Sequence, residues 1–144
     1  MWYLRVSIVA SVFCVTCFSP ALVGFALRTT SQIPGAQGSD DIRTVLLRRA
    51  ITVPGYEVVL IHAEIPVGGR EGRHTHPGTA VGHIEQETVR LEYEGKSPAI
   101  LKTGESFFVD AGKVHEGVNI GDVPVKVLAT LVVKTGSLLT TPVK

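Results

Sequence analysis

The sequence predicts an all-β fold, a sandwich or barrel of short strands, and three observations carry the prediction. From Ile42 onward, short runs rich in β-branched and aromatic residues recur, each closed by Gly, Pro or Asp. Tight-turn signals separate them at about 8–12-residue spacing, the rhythm of antiparallel strands and not of βαβ units. After residue 50 no stretch holds an apolar period of about 3.6 for long enough to make a stable helix.

The runs follow in order. VVLIHAEI (58–65) lies between Pro54-Gly55 and Gly68-Gly69. TVRLEYE (88–94) stops at Glu94-Gly95-Lys96, and AILK (99–102) stops at Thr103-Gly104-Glu105. SFFVD (106–110) runs into Asp110-Ala111-Gly112-Lys113, and VHEGVN (114–119) is followed by Gly121-Asp122. VKVLATLVV (125–133) is the last. Phe107, Phe108, Tyr93 and Ile100 are expected to fill the core. Gly68, Gly78, Gly104 and Gly112 are expected at turns that need positive φ.

Upstream the composition changes. Between Arg5 and Arg28 the chain carries no charge, and the apolar stretch from Val6 to Phe18 is followed by Ser19-Pro20 and small residues ending at Ala26. This is the pattern of a signal peptide over 1–26, with an uncleaved membrane anchor as the alternative. Residues 27–43 are polar with Gly and Pro and read as a flexible linker, leaving 44–144 as the domain. Both cysteines, Cys14 and Cys17, fall in the leader, so thiolate chemistry and disulfides are excluded from the domain. The expected location is secreted or periplasmic.

The 144 residues suit one domain. With 14 Lys+Arg against 13 Asp+Glu and no basic cluster longer than Arg48-Arg49, the chain lacks the cationic surface that phosphate neutralisation requires. Nucleic acid is therefore excluded as a partner, and a membrane enters only through an uncleaved leader.

The chemistry lies in the histidines. Of His62, His74, His76, His83 and His115, two form the pair His74-Thr75-His76. On extended backbone, residues two apart project to the same face, so both imidazoles can reach one point. Gly68 stands six residues before His74, and Pro77-Gly78 follows His76. Further on, Gly104, Asp110, Gly112, His115 and Asn119 form a second set.

In these two sets the sequence resembles the cupin superfamily, whose motifs read G-x5-H-x-H-x3,4-E-x6-G and G-x5-P-x-G-x2-H-x3-N. Gly68, His74 and His76 match the first; Gly104, Gly112, His115 and Asn119 match the second, with Asp110 in place of proline. The resemblance covers roughly 44–144. It implies a double-stranded β-helix, the cupin or jelly-roll barrel, with a metal on inward-facing histidines and commonly a homodimer. It also implies that Asn119 hydrogen-bonds backbone near the second motif.

Two departures stand out. Ala80 occupies the position of the usual glutamate ligand, and Glu87 replaces the closing glycine of the first motif. His83 is the one nearby substitute ligand, but it lies an odd number of residues from Ala80 and should face outward unless a bulge intervenes. Glu85 shares that parity, and Gln86 lies near the hairpin tip. His62 has no partner spacing and reads as a core or surface histidine. Arg73 reads as an exposed ion-pairing residue; Glu64 and Glu116 could serve as bases only if they face the cavity.

The expected centre is thus His74, His76 and His115 around a divalent metal. Imidazole accepts Fe, Mn, Ni, Zn and Cu alike, and Fe(II) is favoured by the resemblance. Three neutral ligands leave the ion's charge uncompensated and three positions open, which suits a small chelating, anionic substrate and dioxygen. The leading expectation is an exported dioxygenase-type metal enzyme. The alternatives are a non-catalytic small-molecule-binding cupin and a non-redox metal isomerase or lyase.

Overall fold

A computed structural model describes residues 32–33 and 40–144. Among the described residues there are eleven strands: β1 (Gln32–Ile33), β2 (Ile42–Ala50), β3 (Tyr56–Ile65), β4 (His74–Thr75), β5 (Thr79–Gln86), β6 (Thr88–Tyr93), β7 (Ala99–Lys102), β8 (Ser106–Val109), β9 (His115–Asn119), β10 (Val125–Lys134) and β11 (Thr141–Pro142). Among the described residues there is no helix, and so none long and apolar enough to cross a membrane. The leader expected over 1–26, and its cleavage, lie outside the described residues.

Two antiparallel sheets face one another, with orders β1-β2-β3-β10-β5-β8 and β11-β4-β9-β6-β7. The chain passes repeatedly between them, which is the double-stranded β-helix. Strict alternation along β3 shows how the sequence makes a core: Val59, Ile61, Ala63 and Ile65 are buried while Leu60, His62 and Glu64 face the outer side. β10 and β5 add Val127, Leu131, Ala80 and Ile84 to the same inner layer.

Four expectations are corrected. The domain begins before residue 44, because β2 starts at Ile42 and Gln32–Ile33 pair with Arg43 and Thr44 inside the stretch read as linker. Phe108 and Ile100 do not fill the core; they are 55% and 51% exposed on outward positions of β8 and β7. Phe107 and Tyr93 do pack against the core, partly buried. Gly78 does not have positive φ as Gly68, Gly104 and Gly112 do. It is required by close approach, since a Cβ there would lie 1.9 Å from the carbonyl oxygen of Val132.

Glu87 accounts for the missing motif glycine. It keeps the left-handed backbone, φ 73°, of the tight turn between β5 and β6. Its side chain lies over Gly121, where a Cβ would be 2.2 Å from the Glu87 Cδ. The turn geometry has survived the loss of the residue that adopts it most readily.

Candidate metal centre

β4 and β9 bring the two histidine sets together. His74 is the Cα partner of His115 in the pairing of these strands, and His76 follows two residues on. The ring centroids lie 4.3 Å apart for His74–His115, 4.8 Å for His74–His76 and 4.9 Å for His76–His115. One ring nitrogen from each residue comes within 4.8 Å of the others, a cluster that could hold a metal ion.

The protonation pattern fits a metal. Each Nδ1 lies against a backbone carbonyl: Gly72 at 2.7 Å for His74, Leu139 at 2.7 Å for His76 and Lys113 at 3.0 Å for His115. A carbonyl only accepts, so each Nδ1–H donates and each Nε2 lone pair is left free. Burial disfavours the imidazolium form and draws His74 down to about 3 and His76 to about 4, with His115 lowered for the same reason. Three neutral imidazoles with fixed tautomers suit a divalent first-row ion.

These rings open onto an internal cavity of about 40 Å3, room for an ion with roughly two or three waters or a small ligand. Its wall is mainly apolar, with Ile61, Ala63, Phe107, Val127 and Leu131. Ala80 is buried and lines this cavity, so the position of the usual acidic ligand points inward and holds only a methyl group.

The remaining residues singled out from the sequence lie elsewhere. His83 is exposed on the outer face of β5, with Nδ1 3.0 Å from Ser106 Oγ. His62 also faces outward and pairs with Glu85 at 3.3 Å. Gln86 donates to the Pro124 carbonyl. Arg73 and Glu94 form an ion pair at 2.9 Å beside an outer cleft of about 260 Å3, which also includes Glu116. Glu116 is buried and faces Arg70 at 3.5 Å, while Glu64 is half-buried on the outer side of β3. Asn119 donates to the carbonyls of Ile65 and Val123 and accepts from the Gly121 N–H, joining three segments around the second motif.

Two cavity residues escape sequence reasoning, Arg43 and Glu71. Arg43 is 4% exposed, pairs with Asp41 and donates to Thr140 Oγ1 at 3.2 Å. Glu71 accepts a 3.0 Å bond from the Gly117 N–H and has an oxygen 3.8 Å from Arg43 Nη2. Burial pushes the Glu71 carboxyl up, but the positive charge of Arg43 beside it favours the ionised form and draws it below the usual value. The only sequence signals are an acid three residues before His74 and a glycine two residues after His115.

A family model described as a cupin domain matches residues 61–139. No curated protein sequence matches the chain significantly. Similar solved structures include a cupin-like protein from Thermotoga maritima, 15% identical, with a TM-score of 0.59 over 77% of this chain and 86% of that one. A predicted oxalate decarboxylase from the same organism is 22% identical, with a TM-score of 0.59 over 74% and 92%. The DMSP lyase of Ruegeria pomeroyi is 18% identical, with a TM-score of 0.63 over 78% of this chain and 60% of that one. At such identities these likenesses concern the fold alone.

Proposed function

Because this chain belongs to the cupin domain family, we propose that it is a mononuclear non-haem metal enzyme of dioxygenase type, acting on a small chelating organic substrate. The observation that carries the reading is the convergence of three tautomer-fixed imidazoles with Ala80 where a fourth ligand would stand. Fe(II) bound there would polarise substrate oxygens and activate dioxygen. His74, His76 and His115 would hold the ion, with the rest of the cavity available to substrate. Ile61, Phe107, Val127 and Leu131 exclude water and strengthen every electrostatic contact inside.

Glu71 favours a second reading, a non-redox lyase or isomerase, because an ionised carboxylate in the same wall can take up a substrate proton. Elemental analysis of protein purified without chelators, beside a His74→Ala/His76→Ala variant, tests both. About one iron per chain, lost in the variant, together with oxygen uptake on a panel of diketones, phenols and flavonols, supports the dioxygenase. Iron without uptake on any of them refutes it. Zinc or nickel with oxygen-independent turnover supports the second reading. No metal in either protein leaves a small-molecule-binding module.

Export and homodimerisation belong to the same proposal. The uncharged stretch after Arg5 supports export, and N-terminal sequencing of the extracytoplasmic protein tests for cleavage after Ala26. A row of register partners across the outer sheet, Leu47–Leu60–Thr130–Val81–Phe108, supports pairing with a second copy. Leu47, Val81 and Phe108 in that row are 43%, 49% and 55% exposed.

A further inference from the structure

β5 gives this centre no carboxylate, but another part of the chain does. Glu71 stands in the segment before β4 and is tied to β9 twice: its N–H donates to the Gly117 carbonyl at 2.9 Å, and its Oε2 accepts from the Gly117 N–H at 3.0 Å. Gly117 lies two residues past His115, on the same side of the strand. Its φ is not positive, so backbone freedom does not explain the glycine. Space does: a Cβ there would lie 2.6 Å from Glu71 Oε2. The missing side chain is a seat for the carboxylate, and Arg43 closes it from the other side, with Nη2 3.8 Å from Oε1.

We propose that Glu71, seated on Gly117 and flanked by Arg43, is the counter-charge of the metal centre, replacing from across the barrel the carboxylate that Ala80 lacks. The inference rests on the metal-centre reading above. Glu71 acts through its field and not as a ligand, because its carboxylate is engaged by Gly117 and Arg43 while the clustered donor atoms are all imidazole nitrogens. In a cavity with apolar walls, one negative charge close to a divalent ion held by neutral ligands contributes far more than at the surface.

The test is metal affinity of the full chain, stripped of metal and titrated with Co(II) against a chromophoric chelator, with the visible Co(II) spectrum as a second readout. Glu71→Gln keeps the shape and the acceptor for Gly117 but removes the charge. It should fold as the wild type does and bind Co(II) about tenfold or more weaker, with a shifted spectrum. Gly117→Ala should weaken binding by evicting the carboxylate, and in a Glu71→Ala background it should cost nothing further. If Glu71→Gln binds within about twofold of wild type with an unchanged spectrum, or the Glu71→Ala and Gly117→Ala effects add, the assignment is overturned and the metal centre stands. If the wild type binds no Co(II), the metal reading falls and the Glu71 assignment with it. Should Gly117→Ala fail to fold, Glu71→Gln alone decides.

Discussion

His74 and His115 face each other as partners across β4 and β9, and each donates its Nδ1–H to the carbonyl two residues before it, Gly72 and Lys113. The same local device therefore aims both rings, and the single pairing between the strands sets their 4.3 Å separation. His76 is held differently, by Leu139, 63 residues away. Two of the imidazoles are fixed by the residues just ahead of their own strands and the third by a distant segment.

Acid should destabilise the metal-free protein well before its carboxylates titrate. In the folded state His74 and His76 stay neutral down to about 3 and 4, against an ordinary value of 6.5. Between about 6.5 and 4 the unfolded chain binds more protons, so stability is full above 6.5 and falls as pH drops through this window. Each such imidazole costs about 1.4 kcal/mol per pH unit where it is charged only when unfolded. Urea midpoints at pH 7 and pH 5 measure the slope, and His74→Ala should flatten it by about one proton.

Ala80→Glu returns an acid to the inward position on β5. Without metal it buries a carboxyl in a cavity of about 40 Å3. The variant should lose about 2 kcal/mol or more of stability. Adding Fe(II) or Zn(II) should recover much of that loss, so metal should raise the Tm of the variant further than that of the wild type. Calorimetry with and without metal gives both differences.

Glu87→Gly should be stabilising. A non-glycine residue at φ 73° carries a cost of about 1 kcal/mol that glycine does not, partly offset by the entropy glycine loses on folding. A rise in Tm with the denaturant slope unchanged is the expected outcome.

Phe108→Lys, at the end of the outward row, should convert the proposed dimer to monomer without altering metal content. Phe108 is on the face of β8 opposite the cavity, and its neighbour Phe107 faces the core. Sedimentation velocity on wild type and variant reads the change.

The all-β class and the shared face of His74 and His76 were legible from local periodicity, whereas the barrel and the joining of His115 to that pair were implied by the resemblance to cupins. The odd offset of His83 from Ala80 survives because β5 pairs with β10 without a shift from Thr79 to Ile84, and exposed and buried positions alternate there; the register shift comes only beyond, between Ile84 and Gln86. β2 defeats the same reasoning: a register shift between Val45 and Leu47 leaves Leu46 and Leu47 both exposed, so no two-residue period is visible. Arg43 and Glu71 were hidden for a different reason. Arg43 reaches the centre from a stretch that read as linker and Glu71 from an unspecified position inside the first motif, between Gly68 and His74, and only tertiary packing against Thr140 and Gly117 reveals their place. Ile100 and Phe108 look like core residues by type, but the parity of β7 and β8 turns them outward.

Four consecutive residues beyond β10 are built into the centre. Leu139 is buried and its carbonyl orients His76, the Thr140 hydroxyl receives Arg43, and Thr141 and Pro142 pair with Thr75 and His74. Ordering of this segment and occupancy of the site are therefore linked quantities: whatever free energy a bound ion contributes by fixing His76 is returned as protection of residues 139–142, and loosening that segment raises the dissociation constant by the same factor. Amide exchange along 139–142 would then report metal occupancy from outside the cavity.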